Sequence, residues 1–180
     1  IDGHVPSKPF CYTSEVACAP GGKSLVFSVR IAGKSEPWSN NFDLYRVNVD
    51  GRGLPKNLTA ANKAWDAGPA FSSDGKTLYY RAMKRPGFEA DRFALMSMDL
   101  KSGIAHEIDP SWDRSADGIT LSADGKPIYT QAEAIGAHPV LTVDIVRGKA
   151  RKVVTHGTGV SFDFPCASLV LPLASSASPP

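Results

Sequence analysis

The amino-acid sequence predicts an all-β fold of repeated four-stranded antiparallel sheets, and three recurring patterns carry this prediction. A Gly-Lys turn, followed after one residue by an apolar pair, occurs three times, with its glycine at Gly22, Gly75 and Gly125. After each turn come an alternating strand that ends in Asp and then a short closing strand, in the same order. Repeats about 50 residues apart are typical of the blades of a β-propeller, each of which is a four-stranded sheet. The predicted fold class is therefore a partial β-propeller.

Within each repeat, period-2 alternation between tight turns indicates four strands. Asp-Gly, which occurs in two of the turns, is a strong hairpin signal because the type I′ turn needs positive φ at both central residues. The predicted strands are 14–19, 24–30, 42–49 and 56–59, then 68–72, 77–83, 93–100 and 104–109, then 118–122, 127–132, 139–146 and 150–155, and finally 160–164 and 168–173. No stretch of 10 or more residues has a convincing helical period, which argues against a helical bundle.

These strands divide the chain into consecutive units. The predicted organisation is a linker or the end of a preceding blade at 1–13, blades at 14–59, 60–109 and 110–155, the start of a further blade at 156–174, and a tail at 175–180. Propellers close with 4–8 blades, so three complete blades and half of a fourth do not complete a ring. We expect either that the chain is a fragment of a longer polypeptide or that a second copy completes it, and we favour the fragment.

Charge and hydropathy exclude two classes of partner. The formal net charge is +2, and Lys and Arg form no basic stripe. Nucleic acid and anionic membrane surfaces are therefore not expected as partners. The longest apolar runs are also far shorter than the roughly 20 residues that a membrane helix needs.

The sequence contains no recognisable motif for catalysis or for cofactor binding. A Gly-x-Ser-x-Gly nucleophile elbow does not occur. The four histidines, His4, His106, His138 and His156, are in no metal-binding spacing. Phosphate-loop and dinucleotide fingerprints are also absent. We therefore predict no catalytic residues, no metal site and no cofactor in this chain.

The turns of an up-and-down blade alternate between the two faces of the propeller. The second turn of each blade and the crossover to the next blade share one face, which we call the loop face. Here these connections are long and rich in charged and aromatic residues, and binding residues concentrate in loops on a rigid scaffold. The candidate substrate-binding residues are Glu36, Trp38, Trp65, Asp66, Arg85, Glu89, Asp91 and Arg92. Trp112, Asp113 and Arg114 belong to the next crossover on the same face.

Structural roles for the same residues are the alternative. Trp65 and Trp112 precede innermost strands, where large rings fill gaps between blades. Asp66 and Asp113 would then cap backbone amides at the crossovers. Glu89, Asp91 and Arg92 would form a surface salt bridge worth less than about 1 kcal/mol.

Longer segments carry a resemblance to known families. The Asp-Gly-Lys turns with their following strands resemble the repeats of TolB-type propellers. The segments 36–39, 41–45, 57–59, 63–66 and 85–92, which read EPWS, NFDLY, NLT, KAWD and RPGFEADR, resemble the bacterial dipeptidyl aminopeptidase and acylaminoacyl-peptidase branch of the prolyl oligopeptidase family. The similarity runs from about Phe10 to Val170.

This resemblance implies a parent serine peptidase in which a propeller precedes an α/β-hydrolase domain with a Ser-Asp-His triad. In that family the propeller covers the active site, excludes folded proteins and helps to bind the amino end of the peptide. None of the triad maps onto this chain. By analogy, Glu36, Glu89 or Asp91 would attract the α-amino group of a peptide, and Arg85 or Arg92 a carbonyl or carboxylate.

Two functions follow as alternatives. The first is the propeller of a peptidase, with a peptide substrate and either a hydrolase domain or a second copy of the chain as partners. The second is a TolB-like propeller module that binds proteins or peptides without chemistry. The branch is often exported, which favours a periplasmic or secreted location over a cytoplasmic one. The sequence specifies neither the preferred P1 residue nor the oligomeric state.

Overall fold

The regular structure consists almost entirely of β-strands. A computed structural model describes residue 3 and residues 15–122, 124–135, 137–153, 158–159 and 173–174. Its strands are β1 (Val16–Cys18), β2 (Ser24–Val29), β3 (Asp43–Asn48), β4 (Lys56–Asn57), β5 (Asp66–Phe71), β6 (Thr77–Ala82), β7 (Ala94–Asp99), β8 (Ala105–Glu107), β9 (Thr120–Leu121), β10 (Pro127–Gln131), β11 (Val140–Asp144), β12 (Lys149–Lys152), β13 (Thr158–Gly159) and β14 (Leu173–Ala174). A 3₁₀-helix, Gly33–Trp38, lies between β2 and β3. No helix in this part of the chain is long and apolar enough to cross a membrane.

The strands form three four-stranded antiparallel sheets, β1–β4, β5–β8 and β9–β12, in which neighbours in sequence are neighbours in space. The all-β prediction is confirmed. In the fourth repeat β13 pairs with β14. The two strands predicted there, at 160–164 and 168–173, lie outside the described residues except for Leu173.

The recurring Ser-x-Asp-Gly-Lys turn has a local cause. Asp74 accepts hydrogen bonds from the Ser72 hydroxyl (2.7 Å) and the Lys76 N–H (3.1 Å). Asp124 accepts the equivalent pair in the third sheet, at 2.6 and 3.2 Å. The glycine that follows the aspartate has φ +68° in both turns, a conformation that side chains with a Cβ rarely adopt. The short polar residue and the glycine thus both stabilise these two hairpins.

The core lies between the sheets, and the middle sheet is buried on both faces. Leu78 and Tyr80 pack with Leu44 of the first sheet. Tyr79, between them in sequence, packs instead with Ile128 of the third sheet. Successive side chains of a strand point to opposite faces, so β6 contributes to both clusters. The sheets are therefore stacked side by side like blades.

Polar contacts also join each sheet to the next one. The Ser28 hydroxyl of the first sheet donates to the carbonyl oxygen of Asp66 at 2.8 Å. Arg81 has the equivalent position in the second sheet, because it follows Gly75 by six residues as Ser28 follows Gly22. It donates to the carbonyl oxygens of Ala116 (3.1 Å) and Asp117 (2.6 Å). The same strand position therefore ties the first sheet to the first residue of β5 and the second sheet to the segment before β9.

We predict that Gly148→Ala weakens the contact between the second and third sheets. Gly148 lies in the β11–β12 turn with φ +61°, and a Cβ there would approach the carbonyl oxygen of Ile108 to 2.4 Å. The left-handed conformation alone costs an alanine about 1–2 kcal/mol, and the backbone of Ile108 must also move. Urea unfolding should show a loss of more than about 2 kcal/mol.

Gly103→Ala is the matched control for this prediction. Gly103 ends the equivalent turn of the second sheet with φ +75°, but nothing lies within 4 Å of the position that its methyl group would take. Gly103→Ala should lose only the conformational part of the stability, about 1–2 kcal/mol. Equal losses in the two variants would contradict the close approach of Gly148 to Ile108.

Candidate functional site

The first two connections of the loop face are joined to each other. Residues 30–42 connect β2 to β3, and residues 83–93 connect β6 to β7. The Gly87 N–H donates to Oδ1 of the buried Asn40 at 2.7 Å. The amide of Asn40 also contacts the sulfur of Met83 at 3.8 Å. Loops from two different sheets therefore form one continuous surface.

Glu36 and Trp38 lie on the 3₁₀-helix of this surface but differ in their surroundings. Oε1 of Glu36 accepts a hydrogen bond from the guanidinium of Arg30 at 2.7 Å. Arg30 in turn lies over the ring of Phe42, 5.1 Å from its centroid. Trp38 is 79% exposed. Glu36 is thus part of an ion pair, whereas the indole of Trp38 faces solvent.

Asp91 organises the loop between β6 and β7. Its carboxylate accepts hydrogen bonds from the N–H groups of Lys84 and Arg85, both at 2.8 Å, and from Nε of Arg85 at 2.9 Å. Although burial opposes ionisation, these hydrogen bonds lower the pKa of Asp91 to about 2. The guanidinium of Arg85 also lies over the ring of Phe88, 4.0 Å from its centroid. Asp91 therefore stays ionised and sets the position of Arg85.

Arg92 and Glu89 have different surroundings in the structure. Arg92 pairs with Glu107 at 2.6 Å and donates to the carbonyl oxygen of Trp112 at 2.7 Å, while Glu89 is exposed. Although burial opposes ionisation of Glu107, hydrogen bonds from Lys84 and Arg92 hold its pKa below the usual value. The alternative salt bridge among Glu89, Asp91 and Arg92 is wrong, because Asp91 and Arg92 pair with partners elsewhere.

Trp65 and Asp66 lie beneath the loop face. Trp65 stacks on Phe42 at 4.5 Å between centroids and meets Phe93 edge-on at 5.7 Å. It fills the gap between the first two sheets, in agreement with the structural alternative. Asp66 is completely buried, and Asn62 donates to its Oδ1 at 2.9 Å. Burial raises the pKa of Asp66 to about 7, although the hydrogen bond from Asn62 acts in the opposite direction.

The structure also places a cleft on the loop face that sequence reasoning missed. It has a volume of about 590 Å³ and is lined by Asp113, Arg114, Ser115, Asp117, Glu133 and His138. Nη1 of Arg114 donates to the carbonyl oxygen of Glu133 at 2.5 Å. The imidazole of His138 pairs with the carboxylate of Asp117. With three carboxylates and one guanidinium, the cleft favours cationic groups over anionic ones.

A sequence signal for this cleft did exist. Asp117 leads into the third sheet and His138 lies between β10 and β11, so topology assigns both to the loop face. Spacing along the chain alone could not pair them. Among the described residues no group of three or more His, Cys, Asp or Glu side chains is placed to hold a metal ion.

Solved structures define the class of fold. TolB from Acinetobacter baumannii is 20% identical and superposes with a TM-score of 0.64, covering 88% of this chain and 36% of its own. A puromycin-hydrolyzing peptidase from Mycobacterium tuberculosis is 16% identical, with a TM-score of 0.57 over 79% of this chain and 22% of its own. The protein is a partial β-propeller with TolB-like blades, as the sequence predicts.

Comparison with curated proteins identifies relatives that are more similar in sequence than these solved structures. Dipeptidyl-peptidase 5 from Porphyromonas gingivalis is 29% identical over 160 residues, which are 88% of this chain and 23% of the relative. The similarity to this relative confirms the resemblance to the dipeptidyl aminopeptidase branch of the prolyl oligopeptidase family. No family model matches the sequence. The chain spans about a quarter of the length of this relative.

Proposed function

We propose that this chain is the propeller portion of a prolyl-oligopeptidase-type serine peptidase that cleaves short peptides, as a dipeptidyl or acylaminoacyl peptidase. The observation that carries the proposal is the alignment with dipeptidyl-peptidase 5 along 88% of the chain. The sequence has no nucleophile elbow of its own. The catalytic triad would therefore come from an α/β-hydrolase domain of the same parent chain, and this portion would gate access and help to bind the substrate.

The proposed roles of the loop-face residues follow from their surroundings. Glu89 is exposed and would attract the α-amino group of a peptide. Arg85, whose side chain is 63% exposed although it is paired with Asp91, would donate to a carbonyl or carboxylate. Trp38 would contact the peptide through its ring. Glu36, Asp91 and Arg92 would hold the loops through their ion pairs, and Trp65 and Asp66 would support the loops from beneath.

A TolB-like module that binds proteins or peptides without chemistry is the second candidate. The fold comparison does not separate the two candidates, because TolB and the puromycin-hydrolyzing peptidase superpose comparably, with TM-scores of 0.64 and 0.57. The names of the curated relatives favour the peptidase. Cleavage of dipeptidyl chromogenic substrates by the protein that carries this chain and its hydrolase domain tests the first candidate directly.

Within that enzyme we predict that Glu89→Ala raises KM by about fivefold and changes kcat much less. An exposed carboxylate that attracts an ammonium group contributes up to about 1 kcal/mol to binding, and this interaction is the same in the ground state and the transition state. Steady-state kinetics with a free-amino dipeptidyl substrate provide the measurement.

Asp50→Ala is the control for this kinetic prediction, because Asp50 is an exposed carboxylate in the β3–β4 turn, away from the loop face. It should leave KM unchanged. An unchanged KM in Glu89→Ala would remove Glu89 from the site. Failure of the parent protein to cleave any dipeptidyl or acylaminoacyl substrate would contradict the proposed function itself.

A further inference from the structure

Two aromatic side chains of the loop face are exposed to solvent on loops that hydrogen bonds hold together. Trp38 is 79% exposed and Phe88 is 43% exposed. Pro37 and Pro86, next to these segments, are exposed as well. Single exposed apolar residues are ordinary, whereas exposed aromatic side chains on two hydrogen-bonded loops are candidates for an interaction surface. The backbone segment that carries each ring is held by contacts with its surroundings.

The segment that carries Trp38 is held by a proline and by hydrogen bonds. It ends the 3₁₀-helix Gly33–Trp38, and Pro37 within that helix has a fixed φ. Glu36 is tied to Arg30 at 2.7 Å, and Arg30 donates also to the carbonyl oxygen of Ser39 at 3.3 Å. The backbone on both sides of Trp38 is therefore anchored to the end of β2.

Phe88 is held by a contact with Arg85 of its own loop. The guanidinium of Arg85 covers one face of its ring at 4.0 Å and is itself fixed by Asp91 at 2.9 Å. The two segments meet at Gly87, whose N–H donates a hydrogen bond to the side chain of Asn40. A Cβ atom added to Gly87 would lie 3.5 Å from the carbonyl oxygen of Trp38. Trp38 and Phe88 are therefore presented by adjacent, mutually hydrogen-bonded backbone.

We infer that Trp38 and Phe88 form a docking surface for a bulky apolar side chain, such as Leu or Phe, of an extended peptide. This inference rests on the proposed function and gives the chemical class of residue that the loop face accepts. Rigid rings bury apolar area at a low cost in conformational entropy. Lys84, Arg85 and Glu89 belong to the same loop as Phe88 and give it charges of both signs, which suits a ligand that carries polar backbone groups beside its apolar side chain. A lipid surface would need a broader apolar face with a basic border.

The test uses the full 180-residue chain and pentapeptides that differ only at the central residue, Gly-Gly-X-Gly-Gly with X = Leu, Phe or Ser. The sequence has three tryptophans, so the indole N–H resonance of Trp38 is assigned by its loss in Trp38→Ala. Titration followed by NMR at this resonance gives the affinity of the native chain and of Phe88→Ala. The Gly87 amide serves as the probe for Trp38→Ala.

We expect the Leu and Phe peptides to bind at least tenfold more tightly than the Ser peptide. Trp38→Ala and Phe88→Ala should each reduce this preference about fivefold or more. Leu54→Ala, which removes a side chain that is 93% exposed in the β3–β4 turn, should leave it unchanged. Because both aromatic residues are exposed, the denaturation midpoints of the two variants should be close to that of the native chain, and Phe88→Ala loses only its contact with Arg85.

Three results would overturn the inference. They are equal affinity for the three peptides, an unchanged preference in both aromatic variants, and the absence of any binding by the native chain. In the first two results the chain still binds peptides, so the proposed function survives. In the third, cleavage by the parent enzyme decides the proposed function separately.

Discussion

Replacement of Asp66 by asparagine should stabilise the protein above pH 7 and have little effect near pH 4. Burial raises the pKa of this carboxyl from 3.8 to about 7. The folded state therefore holds a proton on Asp66 over a pH range in which the unfolded chain has lost it. The stability contributed by this proton is complete below pH 3.8 and is lost as the pH rises to about 7.

The expected size of the effect follows from the pKa difference. About three pH units at 1.36 kcal/mol each correspond to about 4 kcal/mol of lost stability in the native protein by neutral pH. The asparagine side chain of the variant is neutral at every pH and can still accept the hydrogen bond from Asn62. The free energy of unfolding of Asp66→Asn should thus exceed that of the native protein by an amount that grows from near zero at pH 4 to about 4 kcal/mol at pH 8.

Denaturant unfolding at pH 4, 5, 6, 7 and 8 provides the measurement. The control is Asp113→Asn, because Asp113 follows Trp112 as Asp66 follows Trp65 but is exposed. Its free energy of unfolding should stay within about 0.5 kcal/mol of the native value at each pH. Parallel stability curves for Asp66→Asn and the native protein would show that the Asp66 carboxyl is not buried.

Trp65→Ala should have the second large effect, a loss of about 3–4 kcal/mol. The indole contacts Phe42, which directly precedes β3 of the first sheet, and Phe93, which directly precedes β7 of the second, at centroid distances of 4.5 and 5.7 Å. Truncation of a large, partly buried ring removes its transfer free energy, leaves a cavity and abolishes two aromatic contacts. Trp65→Phe should retain most of the stability, because the smaller ring still reaches Phe42. This substitution also removes the buried indole N–H, which has no hydrogen-bond partner and therefore costs stability in the native protein.

Trp38→Ala is the matched control for Trp65→Ala. Trp38 is 79% exposed, so its removal should change the free energy of unfolding by less than about 0.5 kcal/mol. Equilibrium unfolding in guanidinium chloride at constant pH compares the variants. A loss below about 1 kcal/mol in Trp65→Ala would contradict the stacked arrangement between the first two sheets.

The strands could be read from the sequence because their signals are local. The predicted strand 77–83 matches β6 (Thr77–Ala82), and the predicted strand 24–30 matches β2 (Ser24–Val29). Alternation of side chains and the glycine of each turn involve neighbours in the chain, which a sequence displays directly. The predicted strand 118–122 is longer than β9 (Thr120–Leu121), since the crossover before β9 carries apolar residues that pack on the core without strand pairing.

The ion pairs and the cleft could not be read in the same way. The acidic partner of Arg92 is Glu107, 15 residues away, although Asp91 is adjacent in sequence. His138 meets Asp117 across 21 residues. Many carboxylates are compatible with each cation at the level of sequence, and the choice depends on how the loops of neighbouring sheets approach one another.

The amino-acid sequence by itself determined the repeat, the four strands of each complete sheet, the position of the turns and the face on which the long connections lie. Tertiary structure alone decided which polar residues are buried, as for Asp66, and which side chains remain in solvent, as for Trp38. The physical reason is that strand and turn propensities act between residues close in the chain. Desolvation and charge pairing depend instead on the distance between segments that only the stacking of the sheets brings together.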